Sequence, residues 1–367
     1  MKRIHGWRFA NLMVAATLVA AACGGTGSSA APSAAAPSAA APSAAEPSAA
    51  EPSAEPSQSA AVPSAAALRV AIILPGSVSD QGYNADGQRA AEMMKSELGA
   101  EVAFTENVAI PNQTDVYRQY ASQGYNLVIG WGGQFTDGAV AAASEFPDVK
   151  FLVVNSGASN GSNLASIDTA IEQWQFLGGF ILGKLSKSGT VGWVGGLCFP
   201  ATAANLHGTE QGAKYANSKI KFLSTFTGDF EDPTKAKQAA EAMVEQGADA
   251  LSQNLNNGVF GMIEAAKAHG NLPFVSEWVD NHDLAPEVIA SSVLKSQARF
   301  VTQVARTVQD GSFKGAFIKY DLPADWGPGV SNTSLLPGDV YQQALDVQAK
   351  ISSGEIKPQH DETCPNQ

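Results

Sequence analysis

Five loops hold most of the side chains able to grip a small polar molecule. Ser79-Asp80-Gln81-Gly82-Tyr83-Asn84 places a carboxylate, an aromatic face and an amide within one short segment. Gly130-Trp131-Gly132-Gly133-Gln134-Phe135 combines glycines, which let backbone approach a ligand closely, with two rings able to stack on a flat one. Gly195-Gly196-Leu197-Cys198-Phe199-Pro200, Asn254-Leu255-Asn256-Asn257-Gly258 and Glu277-Trp278-Val279-Asp280-Asn281-His282 repeat the mixture. Singly, each is what a turn requires, and a tryptophan at a strand end often serves packing alone. Together they suit reversible capture of a planar polar molecule. Stacking supplies affinity, while Asp, Asn and Gln satisfy ring nitrogens and hydroxyls.

Bond-making chemistry has weaker support. Gly157-Ala158-Ser159-Asn160-Gly161 fits the G-x-S-x-G spelling of a nucleophile elbow, which would make the chain a secreted esterase. No helix follows it directly, however, and the segment reads as a turn-rich surface loop. The Gly130 loop starts like a dinucleotide fingerprint, but Phe135 stands where the third glycine belongs. Asp280, His282 and Asp283 could hold an ion, yet His207, His269 and His360 lack partner spacing, and solvated loop residues are the better reading. No catalytic residue, metal or cofactor is expected.

The elements that must carry these loops alternate. Leu68–Leu74 is a short apolar run closed by Pro75-Gly76, the pattern of a strand buried on both faces. Helical spacing over Asn84–Leu98, a strand at 101–106, a helix at 113–123, strands at 127–129 and 151–154 and a helix at 139–145 complete a first set. The rhythm restarts with a strand at 166–170 and helices at 174–185, 203–217, 233–246, 260–269 and 299–310. Strands at 190–196, 221–225, 250–253, 273–275 and 290–294 separate them. Strands alternating with such helices build parallel sheets covered on both faces, so the fold class is α/β. With no linker inside this stretch, two lobes joined by several crossovers are expected. Residues 68–170 with about 294–318 form the first, and 171–293 with about 319–350 the second, leaving 351–367 as a tail. The hinges fall near Asp168–Ala170 and Ser292–Lys295. In such sheets ligands bind beyond the carboxyl ends of strands, where the five loops lie.

The ends of the chain set its compartment. Lys2, Arg3 and Arg8 precede an apolar run from Ala10 to Ala22 that is too short to span a bilayer and has the charge pattern of a signal peptide over residues 1–22. Small residues then lead into Cys23, as in a bacterial lipobox, although Ala20 stands where Leu is usual; plain cleavage is the alternative, and both export the chain. Residues 23–67 are Ala, Pro, Ser and Gly with a few glutamates, a disordered, semi-rigid tether that could reach on the order of 100 Å. The basic and acidic residues of these segments cancel, so the folded part carries the whole net charge of −12. Such an acidic surplus disfavours nucleic acid and electrostatic membrane docking. Outside the cell, Cys198 and Cys364 can either bridge or remain buried thiols.

In this order, the motifs Asp80-Gln81-Gly82-Tyr83-Asn84, Gly133-Gln134-Phe135-Thr136-Asp137, Phe146-Pro147-Asp148-Val149-Lys150-Phe151, Gly192-Trp193-Val194-Gly195-Gly196, Gln246-Gly247-Ala248-Asp249 and Ser292-Val293-Leu294-Lys295 resemble the basic membrane protein family of bacterial substrate-binding lipoproteins. That family includes purine-nucleoside receptors feeding ABC importers, and the likeness covers roughly Leu68 to Asn332. It implies a two-lobed type I periplasmic-binding fold, anchored at the membrane, that closes on a purine-like ligand and works with an ABC permease, with a monomer expected. Asp80 and Asn84 would hydrogen-bond the ligand, Tyr83 and Phe135 would wall the base, and Lys295 would reach a sugar hydroxyl. The nucleoside receptors carry Gly-Val-Asp-Ser-Asp where this chain reads Ser276-Glu277-Trp278-Val279-Asp280. Trp278 thus takes the place of the ribose-gripping Asp, which favours a free base or another flat heterocycle. Rivals are a sensor presenting its closed form to a signalling partner, and the same fold holding riboflavin, a sugar or an autoinducer.

Overall fold

The structure, a computed structural model, describes residues 67–365. The expected signal peptide, Cys23 and nearly all of the tether lie outside the described residues. In chain order the first strands and helices are β1 (Arg69–Ile73), α1 (Tyr83–Leu98), β2 (Glu101–Thr105), α2 (Gln113–Ser122), β3 (Leu127–Gly130), α3 (Thr136–Glu145), β4 (Lys150–Val154) and β5 (Leu164–Thr169). The second set is α4 (Ile171–Leu185), β6 (Thr190–Gly195), α5 (Pro200–Ala216), β7 (Lys221–Phe226), α6 (Pro233–Glu245), β8 (Ala250–Asn254), α7 (Val259–Ala268), β9 (Phe274–Glu277) and β10 (Ile289–Val293). Last come α8 (Ala298–Gln309), β11 (Phe317–Tyr320) and α9 (Gly338–Ser352).

The strands make two sheets, in the orders β11-β5-β4-β3-β1-β2 and β10-β9-β8-β6-β7. Every strand pairing is parallel. Period-two alternation explains their burial. In β1, Val70 and Ile72 point into one core cluster while Ala71 and Ile73 point into another, so both faces are covered. The second sheet has its own cluster around Val194, Leu251 and Phe274.

The chain passes between sheets three times: after β5 into α4, after β10 into α8, and after β11 into α9. The first two passages run through residues 169–171 and 293–298. The third lies beyond the expected boundary at 318, because β11 stays paired with β5 through Tyr320. Helices α4 and α5 pack unusually close. An added Cβ on Gly179 would sit 1.9 Å from the Thr209 carbonyl oxygen, and one on Gly212 would sit 2.0 Å from that of Phe176. Cys198 and Cys364 are joined, the bridged alternative of the two. The bridge holds the C-terminal tail along α5, where Gln211 and Gln359 exchange two hydrogen bonds and His207 meets the Thr363 carbonyl.

Candidate ligand-binding site

The carboxyl ends of the two sheets face a shared gap, and the residues meeting there come from both. From the second sheet, β9 ends at Glu277, and Trp278 follows it. The backbone at Trp278 is left-handed (φ 78°), which breaks strand alternation and keeps both side chains on the same ammonium. Lys295 Nζ lies 2.6 Å from Glu277 Oε2 and 4.2 Å from the centre of the Trp278 ring, an ion pair combined with a cation–π contact. Both charged side chains are almost fully buried, at 2% and 3% exposure. Burial holds the Lys295 ammonium below the ordinary lysine range, and the Glu277 carboxylate opposes that shift.

Glu277 is the hub of a wider network. Its Oε2 also accepts from Gln175 Nε2 at 2.7 Å and Asn205 Nδ2 at 3.0 Å, and Oε1 accepts from Asn254 Nδ2 at 2.6 Å. Four donors on one buried carboxylate offset its desolvation, which an isolated ion pair would not.

From the first sheet, the loop before α1 contributes Tyr83. Its ring centre is 5.0 Å from that of Trp278 and 6.2 Å from that of Trp131. Gly82 makes this approach possible, since a Cβ there would come within 3.2 Å of Trp278 Cδ1. Asn155, at the end of β4, donates to the Tyr83 hydroxyl at 3.1 Å and accepts from Gln297 Nε2 at 2.6 Å. Gln297 Oε1 is buried without a partner among the described residues. Burial pushes the Tyr83 phenol up, so it stays protonated and able to donate.

The expected site residues divide. Tyr83, Asn254, Trp278 and Lys295 come together. Asp80 and Asn84 are buried beside them but turned to local work. The Asp80 carboxylate accepts from the backbone N–H groups of Gly82, Asn84 and Ala85 and from Asn84 Nδ2, which caps the start of α1. Asn84 Oδ1 in turn accepts from the Gly76 N–H. Trp131 is fully buried in the core, its indole donating to the Tyr83 carbonyl at 2.9 Å, so it backs the Tyr83 wall instead of lining the gap. Phe135 is fully buried in a different core cluster with Tyr117, on the far face of the sheet. Gln134 is half-buried against Gly132.

Asn256 binds Glu231 at 2.5 Å, and Phe199 stacks on Phe230 with 44% of its surface exposed, which puts both at the rim of the second sheet. Asp280 is exposed and accepts only the His282 N–H among the described residues. Its side chain leaves the gap because the left-handed turn at Trp278 redirects the chain after β9. One residue before Trp278 the chain places a buried carboxylate, Glu277. Gln175, Asn205, Asn155 and Gln297 had no local motif; they lie on helices or at strand ends whose gap-facing turn only the tertiary packing reveals.

The gap is filled by these side chains. A hollow of about 320 Å³ lies elsewhere, beside the third crossover, lined by Gln173, Asp321, Leu322 and Lys357, and none of the loop residues borders it.

Known proteins share this architecture. A family model described as Bmp, an ABC transporter substrate-binding protein that is PnrA-like, matches residues 67–362. Basic membrane protein A of Borreliella afzelii is 26% identical over 294 residues, covering 78% of this chain and 90% of that protein. A purine-binding protein of Brucella abortus (strain 2308) is 26% identical over 294 residues, covering 79% of this chain and 83% of its own length. Among solved structures, an ABC transporter solute-binding protein from Conexibacter woesei DSM 14684 superposes with a TM-score of 0.65 at 26% identity, over 80% of this chain and 99% of that one.

Proposed function

Because the chain belongs to the PnrA-like family of ABC transporter substrate-binding proteins, we propose that it captures a purine nucleoside, a nucleobase or a similar flat heterocycle between its lobes and delivers it to an ABC permease. Proteins of this family work outside the cytoplasm, bind a small molecule and pair with a permease. The fold is of the periplasmic solute-binding kind, and no helix among the described residues is long and apolar enough to cross a membrane. Attachment would then come from lipid on Cys23, with residues 23–67 as the tether.

The observation that carries the reading is the pairing of Tyr83 from one sheet with Trp278 from the other, 5.0 Å apart, over the buried Lys295 and Glu277. The two rings touch here, tilted by 53°, so a planar group would enter between them as the lobes part. A charge pair beneath them offers one donor and one acceptor to hydroxyls or ring nitrogens. Glu277 takes the part of the family's ribose carboxylate, so a nucleoside stays within reach.

Hinge closure is the mechanism. A ligand held by one lobe recruits contacts from the other and shifts the open and closed populations by its differential affinity; about 4 kcal/mol turns a mostly open receptor into a mostly closed one. The reading includes no covalent step. Native mass spectrometry of protein purified without refolding, followed by calorimetry with purine nucleosides, nucleobases, riboflavin and simple sugars, tests it. The expected result is a co-purifying or titrating purine compound. Binding of a sugar alone, or hydrolysis of an ester abolished by Ser159→Ala, would overturn it.

A further inference from the structure

We propose that the hollow beside the third crossover is a second ligand site, separate from the gap, for a small zwitterion: an aliphatic α-amino acid or a molecule with the same pairing of carboxylate and ammonium. The proposal is independent of the reading above. The hollow forms where α9 runs out. After Ser352 the chain reverses through Gly354, whose backbone is left-handed (φ 76°), and the Ile356 N–H returns to the Lys350 carbonyl at 3.0 Å. Residues 356–358 then share a wall with Gln173, near the start of α4, and with Asp321 and Leu322, just after β11. The space left is about 320 Å³, the small end of the range for ligand pockets.

The charges on this wall do not satisfy each other. Gln173 uses both ends of its amide, accepting from the Leu322 N–H at 2.8 Å and donating to Asp321 Oδ1 at 2.9 Å. That fixes the carboxylate and leaves its second oxygen without a partner among the described residues. Lys350 pairs with Glu355, whereas Lys357 meets no carboxylate within ion-pair distance among the described residues, Asp321 included. An anion in the hollow would be opposed by Asp321 and a cation by Lys357, while a neutral molecule would draw on neither charge. A zwitterion answers both, with its carboxylate on Lys357 and its ammonium on Asp321. The buried Leu322 and Ile351, with the half-buried Ile356 and Pro358, make the rest of the wall apolar, which suits an aliphatic side chain. Ser352 also lines the hollow, and its buried hydroxyl has no partner among the described residues.

The test is a ligand-observed NMR titration of the full chain at low salt with three probes of one carbon skeleton: L-leucine, isocaproate, which lacks the ammonium, and isopentylamine, which lacks the carboxylate. Leucine should bind saturably and about tenfold more tightly than either, since each partial probe leaves one charge unanswered. Lys357→Met and Asp321→Asn, both at exposed positions, should each weaken leucine about tenfold. The first should also erase its advantage over isopentylamine, and the second its advantage over isocaproate. Trp278→Ala, in the gap, should leave leucine affinity within roughly twofold. The proposal is overturned by absence of saturable leucine binding, by equal affinity for all three probes, or by leucine binding that Trp278→Ala removes and the two hollow variants spare. The last result would place the amino acid in the gap and count against the purine reading too, whereas the first two leave that reading standing.

Discussion

The close contact between α4 and α5 positions the whole polar network, and Gly179→Ala is the perturbation that probes it most directly. An ideal Cβ at this position would lie 1.9 Å from the Thr209 oxygen, 2.7 Å from its carbonyl carbon and 2.9 Å from its Cα. All three are backbone atoms, so no rotamer change relieves the overlap. The helices must part by roughly 1 Å in a close-packed interior. Overpacking of this kind costs about 1 to 3 kcal/mol, and the better helix propensity of alanine returns only about 0.5 to 1 kcal/mol. Because the opposing atoms are rigid, the upper end applies, and the net loss should be about 2 kcal/mol. For a folded part of about 300 residues that is a fall in Tm of roughly 3 °C. Urea unfolding at constant m would give the same figure as a lower midpoint. Gly338→Ala is the control: nothing lies within 4 Å of its added Cβ, and it starts α9. It should stay within about 0.5 kcal/mol of wild type. If Gly179→Ala melts with the wild type, the interface has slack, and the claim that α4 and α5 hold Gln175 and Asn205 rigidly against Glu277 fails with it.

Four further outcomes follow from the same geometry. Lys295→Met leaves Glu277 buried with three amide donors; breaking such a pair costs about 3 to 5 kcal/mol, and the amides hold the loss to the lower end, readable as a urea midpoint shift. Loss of less than about 1 kcal/mol would mean that the ion pair contributes little. Trp278→Ala should weaken purine binding by about 1 to 3 kcal/mol with modest loss of stability, whereas Trp131→Ala, in the core, should cost about 3 to 5 kcal/mol of stability in thermal melts. Replacing Cys198 and Cys364 by Ser opens a closure spanning 166 residues and should lower stability by about 2 to 5 kcal/mol in chemical denaturation. For His360, partial burial pulls the imidazole down, but the hydrogen bond to Glu172 and its charge outweigh that, and the net direction is up. Its contribution is therefore complete below the ordinary histidine range and fades as pH rises through the raised value, so wild type and His360→Gln should differ in Tm at pH 5.5 and converge at pH 8.5. A constant difference across that range would refute the assignment.

The alternation of apolar runs and helical spacing made both parallel sheets legible, because strands buried on both faces leave unbroken hydrophobic segments. The elements at the chain's later end were harder. β11 is a short edge strand, half exposed, with one neighbour, so its sequence carries little pattern. α9 does carry a stripe, Val340, Ala344, Val347 and Ile351, behind Pro337, a helical signal the alternating pattern overshadowed. At the site, loop composition pointed to Tyr83, Asn254 and Trp278, and the family resemblance to Lys295, four residues that the fold brings together. Loop composition equally selected Trp131 and Phe135, since an aromatic at a strand end has the same spelling whether it faces a ligand or the core. Glu277 lies in the fifth loop, but the family resemblance sets the ribose-binding position at Trp278, so nothing in the sequence marks Glu277 as the hub. The left-handed backbone at Trp278 is a tertiary fact.

The second crossover concentrates its change of allegiance between two adjacent residues. Lys295 is bound into the network of the second sheet through Glu277. The next residue, Ser296, donates to Asp86 on α1, and the Gln297 N–H donates to the same carboxylate at 2.7 Å. Asp86 therefore caps α8 from the first lobe. Gln297 adds bonds to Asn155 and Thr169 there. Buried and pushed up by that burial, Asp86 is also within reach of the Lys295 charge. Any pivot of the lobes at this crossover must then be absorbed by the peptide joining Lys295 to Ser296 and its immediate dihedrals, because both sides are tied down. In the receptor reading proposed above, a ligand drawing on the Lys295 ammonium would act one residue away from the contacts that tie α8 to the first lobe.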